Sequence, residues 1–403
     1  MHSKRLRTLL AFFAFNLVLS AASAQTESVL YSFTGAADGG NPVSTIVFGT
    51  DGLLYGTTSD GGDLSGCDGY SCGVVFQLTQ SGSETVLYTF TGAADGSNPM
   101  AGVVLDAAGN IYGTTYYGGG RQCYDGNEYG CGILFKLTSA GMETILHRFA
   151  SSPDGANPGA GVVLDAEGNM YGTTYYGGRK SKVGTVFKAD PSGKETVLFT
   201  FTQHNGADPA APLLLDVKGD MYGTTLGGGA YGKGTVFKLS AAGKATVLHS
   251  FRGGTDGNTP YAGLVRDASG NFYGTTGGGG NSSHGTVFKM TPSGAETILY
   301  SFSGDQDGAS PVAGLILDSH GNIYGTTSRG GDLSGCNGSG CGVVFKLTPA
   351  GHQTVLYSFT GGNDGSEPEA PLVFDSQGNL YGTTFSGGDF GQGTVFKVAP
   401  GAR

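Results

Sequence analysis

The chain has 403 residues, of which 76 are glycine, 13% are charged and none is tryptophan. That length can bury a large core, and the glycines sit between short runs of Val, Leu, Ile, Tyr and Phe, which excludes a disordered low-complexity chain. With 22 basic and 32 acidic residues the net charge is −10, which argues against nucleic acid and anionic membrane as partners.

The chain opens on a targeting signal. Lys4, Arg5 and Arg7 form a positive region, residues 9–19 are apolar apart from Asn16, and Ala22-Ser23-Ala24 is a small-residue cleavage site. This pattern predicts a secretory signal peptide over residues 1–24. The apolar run is shorter than the roughly 20 residues a membrane span needs, and no cysteine follows the cleavage site to carry a lipid. Cleavage removes three basic residues and leaves 19 minus 32, or −13. The mature chain is expected to be released, outside the cell or in a periplasm, as a monomer that does not insert in membranes.

The rest of the chain is one repeat. Tyr-Gly-Thr-Thr begins at Tyr55, Tyr112, Tyr171, Tyr222, Tyr273, Tyr324 and Tyr381, at spacings of 57, 59, 51, 51, 51 and 57. A period near 50 marks stacked or radially arranged supersecondary units. Each unit carries four apolar runs; in the second they are Ala101–Asp106, Asn110–Thr115, Gly132–Leu137 and Glu143–Phe149. All four are rich in β-branched and aromatic residues, are bounded by turn formers and lack helical periodicity, so they read as strands.

Four strands in each of seven units predict an all-β, seven-bladed β-propeller over residues 25–403. A solenoid would need distinct capping repeats, and neither end has one. The phase of the chain favours a closed ring. Glu27–Phe33 (ESVLYSF) matches the fourth run of other units, whereas the last unit supplies only Glu369–Asp375, Asn379–Thr384 and Gly393–Val398. The N-terminal strand therefore completes blade seven from outside and removes the open edges.

The turns divide the ring into two faces. Short hairpins of the type Asp106–Asn110 and Pro292–Gly294 lie on one face, with Asp capping its own turn; Gly49 replaces that Asp in blade one. The Asp-Gly blade crossings, such as Asp95–Pro99, and the Gly-rich loops after Tyr-Gly-Thr-Thr lie on the other. Asp38, Asp95, Asp154, Asp256, Asp307 and Asp364 recur in the crossings, with Asn205 in blade four. One carboxylate per crossing is too few for a calcium cage, so these too read as turn caps. The near-copies at Gly62–Gly66 and Gly331–Gly335 could offer an ion only backbone carbonyls. No metal and no cofactor are expected.

These residues carry a resemblance. The recurring order Gly-Asn-Ile-Tyr-Gly-Thr-Thr, then Gly-Thr-Val-Phe-Lys-Leu, then Glu-Thr-Val-Leu-Tyr-Ser-Phe, then Asp-Gly ahead of Ala-Gly-Leu-Val-Leu-Asp resembles the GloVer tandem repeat of bacterial secreted proteins. It spans nearly the whole mature chain, seven times over. The resemblance implies a surface or extracellular placement and transfers no catalytic residue, and the C-terminal anchor of such proteins has no counterpart here. Kelch repeats have a similar period but carry a tryptophan in each blade.

Six cysteines form three close pairs, Cys67 with Cys72, Cys123 with Cys131, and Cys336 with Cys341, all in the longer units. Each predicts a local disulfide at the base of an extended loop; thiolate metal ligation is the rival, and these loops contain no histidine. The stapled loops belong to blades six, one and two, which ring closure brings to one side of one face. Insertion without purpose is the competing account.

Function has to lie where the repeats differ. After Tyr-Gly-Thr-Thr the next two residues are Ser59-Asp60, Tyr116-Tyr117, Tyr175-Tyr176, Leu226-Gly227, Gly277-Gly278, Ser328-Arg329 and Phe385-Ser386. Tyr116, Tyr117, Tyr175, Tyr176, Tyr231 and Phe385, with Arg121, Arg179 and Arg329 (and Lys180 nearby), form a candidate platform for a sugar or peptide; the rival is that these tyrosines pack between blades. No catalytic motif is present. Only His204 and His284 reach the long-loop face, His320 and His352 lie opposite, and His147 and His249 replace tyrosines in outer strands. The inner strands are small and aliphatic except for Arg266. The reading is a secreted, non-catalytic binding or adhesion module for a carbohydrate or extracellular protein. The alternatives are a carbohydrate-active lyase or hydrolase using Tyr, Arg and His204 on that face, and a structural spacer of the cell surface.

Overall fold

The structure of the protein, a computed structural model, describes residues 26–67, 72–120, 123, 130–179 and 182–399. The signal segment, Arg121 and Lys180 lie outside the described residues. Seven four-stranded antiparallel sheets make a seven-bladed β-propeller. Blade one runs from the axis outward as Val47–Phe48, Leu54–Thr58, Val74–Leu78 and Glu84–Thr89. Blade seven runs Val373–Phe374, Leu380–Thr384, Thr394–Val398 and then Glu27–Ser32 from the N-terminus. Glu27 is opposite Val398 and Ser32 opposite Thr394. Among the described residues there is no α-helix, and no helix is long and apolar enough to cross a membrane.

One expectation needs correction. Only two residues of each innermost run pair in the ladder, Val104–Leu105 rather than Ala101–Asp106 in blade two. The preceding residues turn toward the axis, where seven blades crowd together and each gives its backbone to a neighbour instead.

Every residue of Tyr-Gly-Thr-Thr has a task. The tyrosine hydroxyl donates to the aspartate of the first hairpin, as from Tyr112 to Asp106 at 3.1 Å; that aspartate also accepts from Ala108 N, Asn110 N and Asn110 Nδ2. Blade one keeps the contact although Gly49 replaces the aspartate, because Asp51, two residues on, accepts from Tyr55 Oη at 2.6 Å. The glycine lies under the phenylalanine of the third strand: a Cβ on Gly223 would meet the Phe237 ring at 2.8 Å. The first threonine reaches the next blade. Thr57 Oγ1 donates to Ala101 O, Thr114 to Ala160 O and Thr224 to Ala262 O at 2.9–3.0 Å, and Thr383 closes the circle by donating to Ser44 O at 3.3 Å. The second threonine ties down the following loop, as from Thr115 Oγ1 to Tyr117 O at 2.8 Å.

The core lies between blades. Each outer strand ends in a buried phenylalanine whose ring meets edge-on the third-strand phenylalanine of the next blade, as Phe90 meets Phe135 at 5.3 Å. Phe33, from the N-terminal strand, meets Phe76 in the same way at 5.1 Å. Clusters such as Val75, Phe90, Val103, Ile111 and Phe135 therefore join successive blades. Burial of such rings stabilises each by about 1.5–3 kcal/mol relative to exposure, so the ring holds chiefly by its junctions.

The outer rim of each junction is polar. The crossing aspartates bond the outer strand behind them, as Asp95 accepts from Tyr88 Oη, Thr91 N and Thr91 Oγ1. His147 and His249 take the tyrosine's place beside Asp154 and Asp256. The outer strand of blade three has Phe199, which lacks a hydroxyl, and in the crossing that follows Asn205 replaces the aspartate and accepts only from Thr202 N. The first residue of the following outer strand faces the same aspartate. It is a glutamate at 27, 84, 143, 195 and 296, and burial followed by the nearby aspartate pushes Glu27, Glu84 and Glu296 up to about 7. Glu143 and Glu195 are also raised to about 7, with burial again the largest cause. One oxygen, Oε1, of each of the five is buried without a hydrogen-bond partner in the structure. Blade six places Gln353 there, whose amide donates to Asp307 O, and Ala245 faces Asn205's junction.

Three outcomes are expected. A chain lacking residues 26–33 should melt at lower temperature and self-associate in size-exclusion chromatography, because the Thr394–Val398 edge and the Phe76 pocket are left open; an unchanged monomeric melt would refute ring closure by this strand. Gly223→Ala should destabilise by about 1–3 kcal/mol in denaturant unfolding, through overpacking against Phe237. The five glutamates bind protons more tightly folded than unfolded, so their contribution is complete below about 4.5 and is lost as pH rises through about 7. The melting temperature should accordingly be higher at pH 5 than at pH 8, and Glu84→Gln with Glu143→Gln should flatten that slope.

Candidate functional site

The central channel opens on the long-loop face, and its lining comes from all seven blades. A cavity of about 100 Å³ is bounded by the residues just ahead of the innermost strands, including Ser44, Ala101, Ala160, Ala262, Ala313 and Pro371. Except for Pro371, which follows the acceptor Ala370, these are the residues whose carbonyls accept the inter-blade threonine bonds. The tight floor is thus a by-product of ring closure.

The rim of the channel is different. The position after the crossing proline is occupied in turn by Val43, Met100, Gly159, Ala210, Tyr261, Val312 and Glu369. Tyr261 and Glu369 line the cavity with Met100. Tyr261 is 44% exposed, yet burial by surrounding atoms raises its hydroxyl, with Glu369 adding to the effect. Glu369 is also exposed at its surface and is raised by desolvation, with Glu367 adding and Arg329 opposing. Side chains that are reachable and yet crowded by protein belong to a concave mouth.

Two tyrosine pairs complete it. Tyr116 and Tyr117 meet edge-on at 4.8 Å, and Tyr175 and Tyr176 at 4.6 Å. Tyr116 lies over Gly159 of the next blade, 3.7 Å from where a Cβ would stand. Its hydroxyl is pushed up by burial and by Tyr176, Tyr117, Tyr175 and Tyr261. Tyr175 is pushed up to about 12 by burial, Asp208, Tyr176 and Tyr261. Blades two, three and five therefore direct their tyrosines to one place. The first of each pair is half-buried, and Tyr176 is 41% exposed, so both packing and presentation occur within a single pair.

A ring of strained backbone lies beneath. The residue ahead of each crossing proline has φ of 51–58°: Asn41, Asn98, Asn157, Asp208, Thr259, Ser310 and Glu367. The three asparagines use the conformation, since their amides donate to Phe385 O, Ser59 O and Tyr116 O of the preceding blade. Thr259 and Glu367 belong to residue types that seldom adopt such angles. Asp208, raised by desolvation alone, and Glu367, which accepts from Ser386 Oγ at 3.4 Å, put carboxylates where asparagine suits the backbone best. Such departures from the local optimum mark candidate sites.

Of the residues singled out in the sequence, Tyr116, Tyr117, Tyr175, Tyr176 and Arg329 come together at this mouth. Tyr231 does not; it stacks with Arg252 at 5.4 Å, near the blade-four outer strand. Arg179 is exposed, and Phe385 is half-buried and gives its carbonyl to Asn41. His204 is exposed beside Asn205, over the outer strand and far from the axis. Arg266 is no funnel residue: it faces the opposite side, stacked on Phe272 and 3.8 Å from Asp216. Asp208, Tyr261, Glu367 and Glu369 are not among the residues the middle loops single out; their signal is the departure of the crossings from one another at the two positions that flank the proline.

Other features belong to the framework. The clefts between blades six and seven and between blades three and four, on the short-hairpin face, are lined by repeat residues such as Asp318, Tyr324 and Asp375, or Asp165 and Tyr171. His249, Asp256 and Glu296 have ligand atoms within 4.8 Å of one another, but the junction recurs with Tyr88, Asp95 and Glu143, and the histidine serves as the tyrosine does. Asp63 and Asp332 accept from Ser65 and Ser334 within their own turns. Disulfides close Cys67–Cys72, Cys123–Cys131 and Cys336–Cys341, which suggests an oxidising, extracellular setting.

The comparisons with known proteins agree with this architecture. The model of the Gloeobacter/Verrucomicrobia repeat family matches residues 121–339, more than half of the chain, and the chain belongs to that family. No curated protein matches. Among solved structures, virginiamycin B lyase from Staphylococcus aureus is similar in fold, with 12% identity and a TM-score of 0.59 over 93% of this chain and 99% of that one. The extracellular domain of a candidate one-component system from B. thetaiotaomicron is similar at 11% identity and a TM-score of 0.54, over 92% of this chain and 40% of that one. At such identities the likeness is one of fold.

Proposed function

We propose that the protein is a secreted binding module that takes a carbohydrate or an extracellular protein ligand on its long-loop face, without catalysis. The observation that carries this reading is convergence. Where the seven repeats agree, the residues build the ring; several of the positions at which they disagree gather at one mouth, with aromatic faces from three blades and carboxylates from two others. A structural spacer has no use for such a concentration. Apolar and aromatic surface with a few polar groups is what ligand sites require. The targeting signal at the N-terminus and the three disulfides support work outside the cell.

Catalysis has less to draw on. His204 lies away from the mouth, and Tyr261 and Glu369 are the candidate proton-transfer groups. The lyase of similar fold keeps this reading open as the second one.

Tyr116→Ala combined with Tyr175→Ala should abolish retention on a glycan and peptide array while the melting temperature stays within a few degrees of the parent. Retention equal to that of the parent, or no retained compound at all, would overturn the binding reading. Formation of new reducing ends or unsaturated products from acidic polysaccharides, lost in Glu369→Gln, would favour the enzyme.

A further inference from the structure

The outer junctions share a plan but differ in the ring that faces the crossing position. Tyr31, Tyr88, Tyr300 and Tyr357 stand at four of them, Phe199 at one, and His147 and His249 at two. Within the framework the histidine bonds its aspartate as a tyrosine does, but it offers something more. Burial and the adjacent aspartate push the Tyr300 hydroxyl up to about 12, so a phenol there keeps its proton at neutral pH. A neutral imidazole presents a nitrogen lone pair, the commonest protein ligand for metal ions.

Between blades four and five, three donors from three segments converge. His249 belongs to the outer strand of blade four, Ala245–Ser250, Asp256 to the crossing, and Glu296 to the outer strand of blade five, Glu296–Ser301. Their ligand atoms all lie within 4.8 Å of one another. His249 Nε2 is 3.2 Å from Asp256 Oδ1. Asp256 Oδ2 accepts from Arg252 N at 2.6 Å, and the His249 ring packs edge-on against Phe251 at 4.8 Å, so both groups are held in place from behind. Glu296 Oε1 is buried and has no hydrogen-bond partner in the structure. Tetrahedral bonds of about 2.0–2.2 Å set ligand atoms roughly 3.4 Å apart, and the cluster therefore has to contract by no more than about 1.5 Å. At the sister junction His147 lies 3.0 Å from Asp154, but among the described residues only the His249 junction gathers three ligand atoms in this way.

We propose that His249, Asp256 and Glu296 bind one divalent transition-metal ion of the zinc type, which clips together the outer edges of blades four and five. One imidazole nitrogen with two carboxylate oxygens suits zinc and leaves its fourth position to water. It is too small a set for calcium, which takes 6–8 oxygens. The ion also relieves the junction's electrostatics. Burial, with Asp256 adding, makes Glu296 hold its proton up to about 7; a dication takes that proton's place beside Asp256, and the proton leaves to solvent. The site lies on the outer rim of the ring, apart from the mouth, and does not rest on the binding function proposed above.

Isothermal titration of zinc chloride into the intact, untagged protein at pH 7.5 tests this. One equivalent should bind, and zinc should raise the melting temperature because it joins two blades only in the folded ring. His249→Tyr and Glu296→Gln should each weaken binding by at least about tenfold and remove the thermal shift, whereas His147→Tyr should leave both unchanged. The protein itself uses Tyr300 and Gln353 at the equivalent places of another junction, so these variants keep the framework's own chemistry, and their metal-free melting curves verify folding. Absence of zinc binding overturns the proposal. So does binding that survives in His249→Tyr or Glu296→Gln, that is lost equally in His147→Tyr, or that calcium chloride matches.

Discussion

The bond from the first threonine of Tyr-Gly-Thr-Thr to the innermost carbonyl of the next blade is the contact on which the ring depends. It joins strands that share no ladder, and it recurs from Thr57 to Ala101 and onward until Thr383 returns to Ser44. Because the hydroxyl must reach the neighbour's backbone, the acceptor residue has to be small. Because seven such acceptors meet around one axis, the channel is narrow and its floor carries no side-chain chemistry. The phenylalanine contacts farther out fill the wedge between blades and set the angle at which the threonines meet their partners.

The repeat makes the fold legible. Seven copies of a four-run unit, and a first strand in the phase of a fourth run, suffice for blade number, strand number and closure. The inner strands were harder to read, because Ala101–Val103 has the composition of a strand but gives its backbone to another blade. The exchange at Gly49 was legible only as a loss; Asp51 takes over the tyrosine, which requires knowing where the turn points. At the mouth, the tyrosine pairs were visible as departures from the repeat, but whether they pack or protrude depends on the neighbour's size. Tyr116 fits because the next blade has Gly159 there. Asp208 and Glu367 look like ordinary polar loop residues until their backbone angles are known.

Variation among the repeats takes two forms that the structure separates. Compensated variation keeps a junction working: Phe199, Asn205 and Ala245 change together at the junction of blades three and four, and Gln353 replaces a glutamate in blade six by donating to Asp307 O. Uncompensated variation, as at Tyr261, Glu367 and Glu369, repairs nothing in the framework. Only the second kind clusters at the mouth, and that distinction weighs more for function than the number of changes at either place.

The N-terminal strand has a temporal meaning as well. Glu27–Ser32 is the first described strand to be synthesised, and its partner, Thr394–Val398, is the last. Until the last strand exists, a six-residue segment with unpaired backbone groups and the exposed ring of Phe33 must wait through nearly the whole length of the chain. Contacts of such sequence separation form slowly, and waiting edges invite wrong pairings. The chain contains six near-copies of the waiting strand's sequence, any of which could offer a false partner in a neighbouring molecule. Assembly of this ring is therefore a race between completion and exchange, and whatever delivers the chain to its destination has to keep its two ends apart from other chains until they find each other.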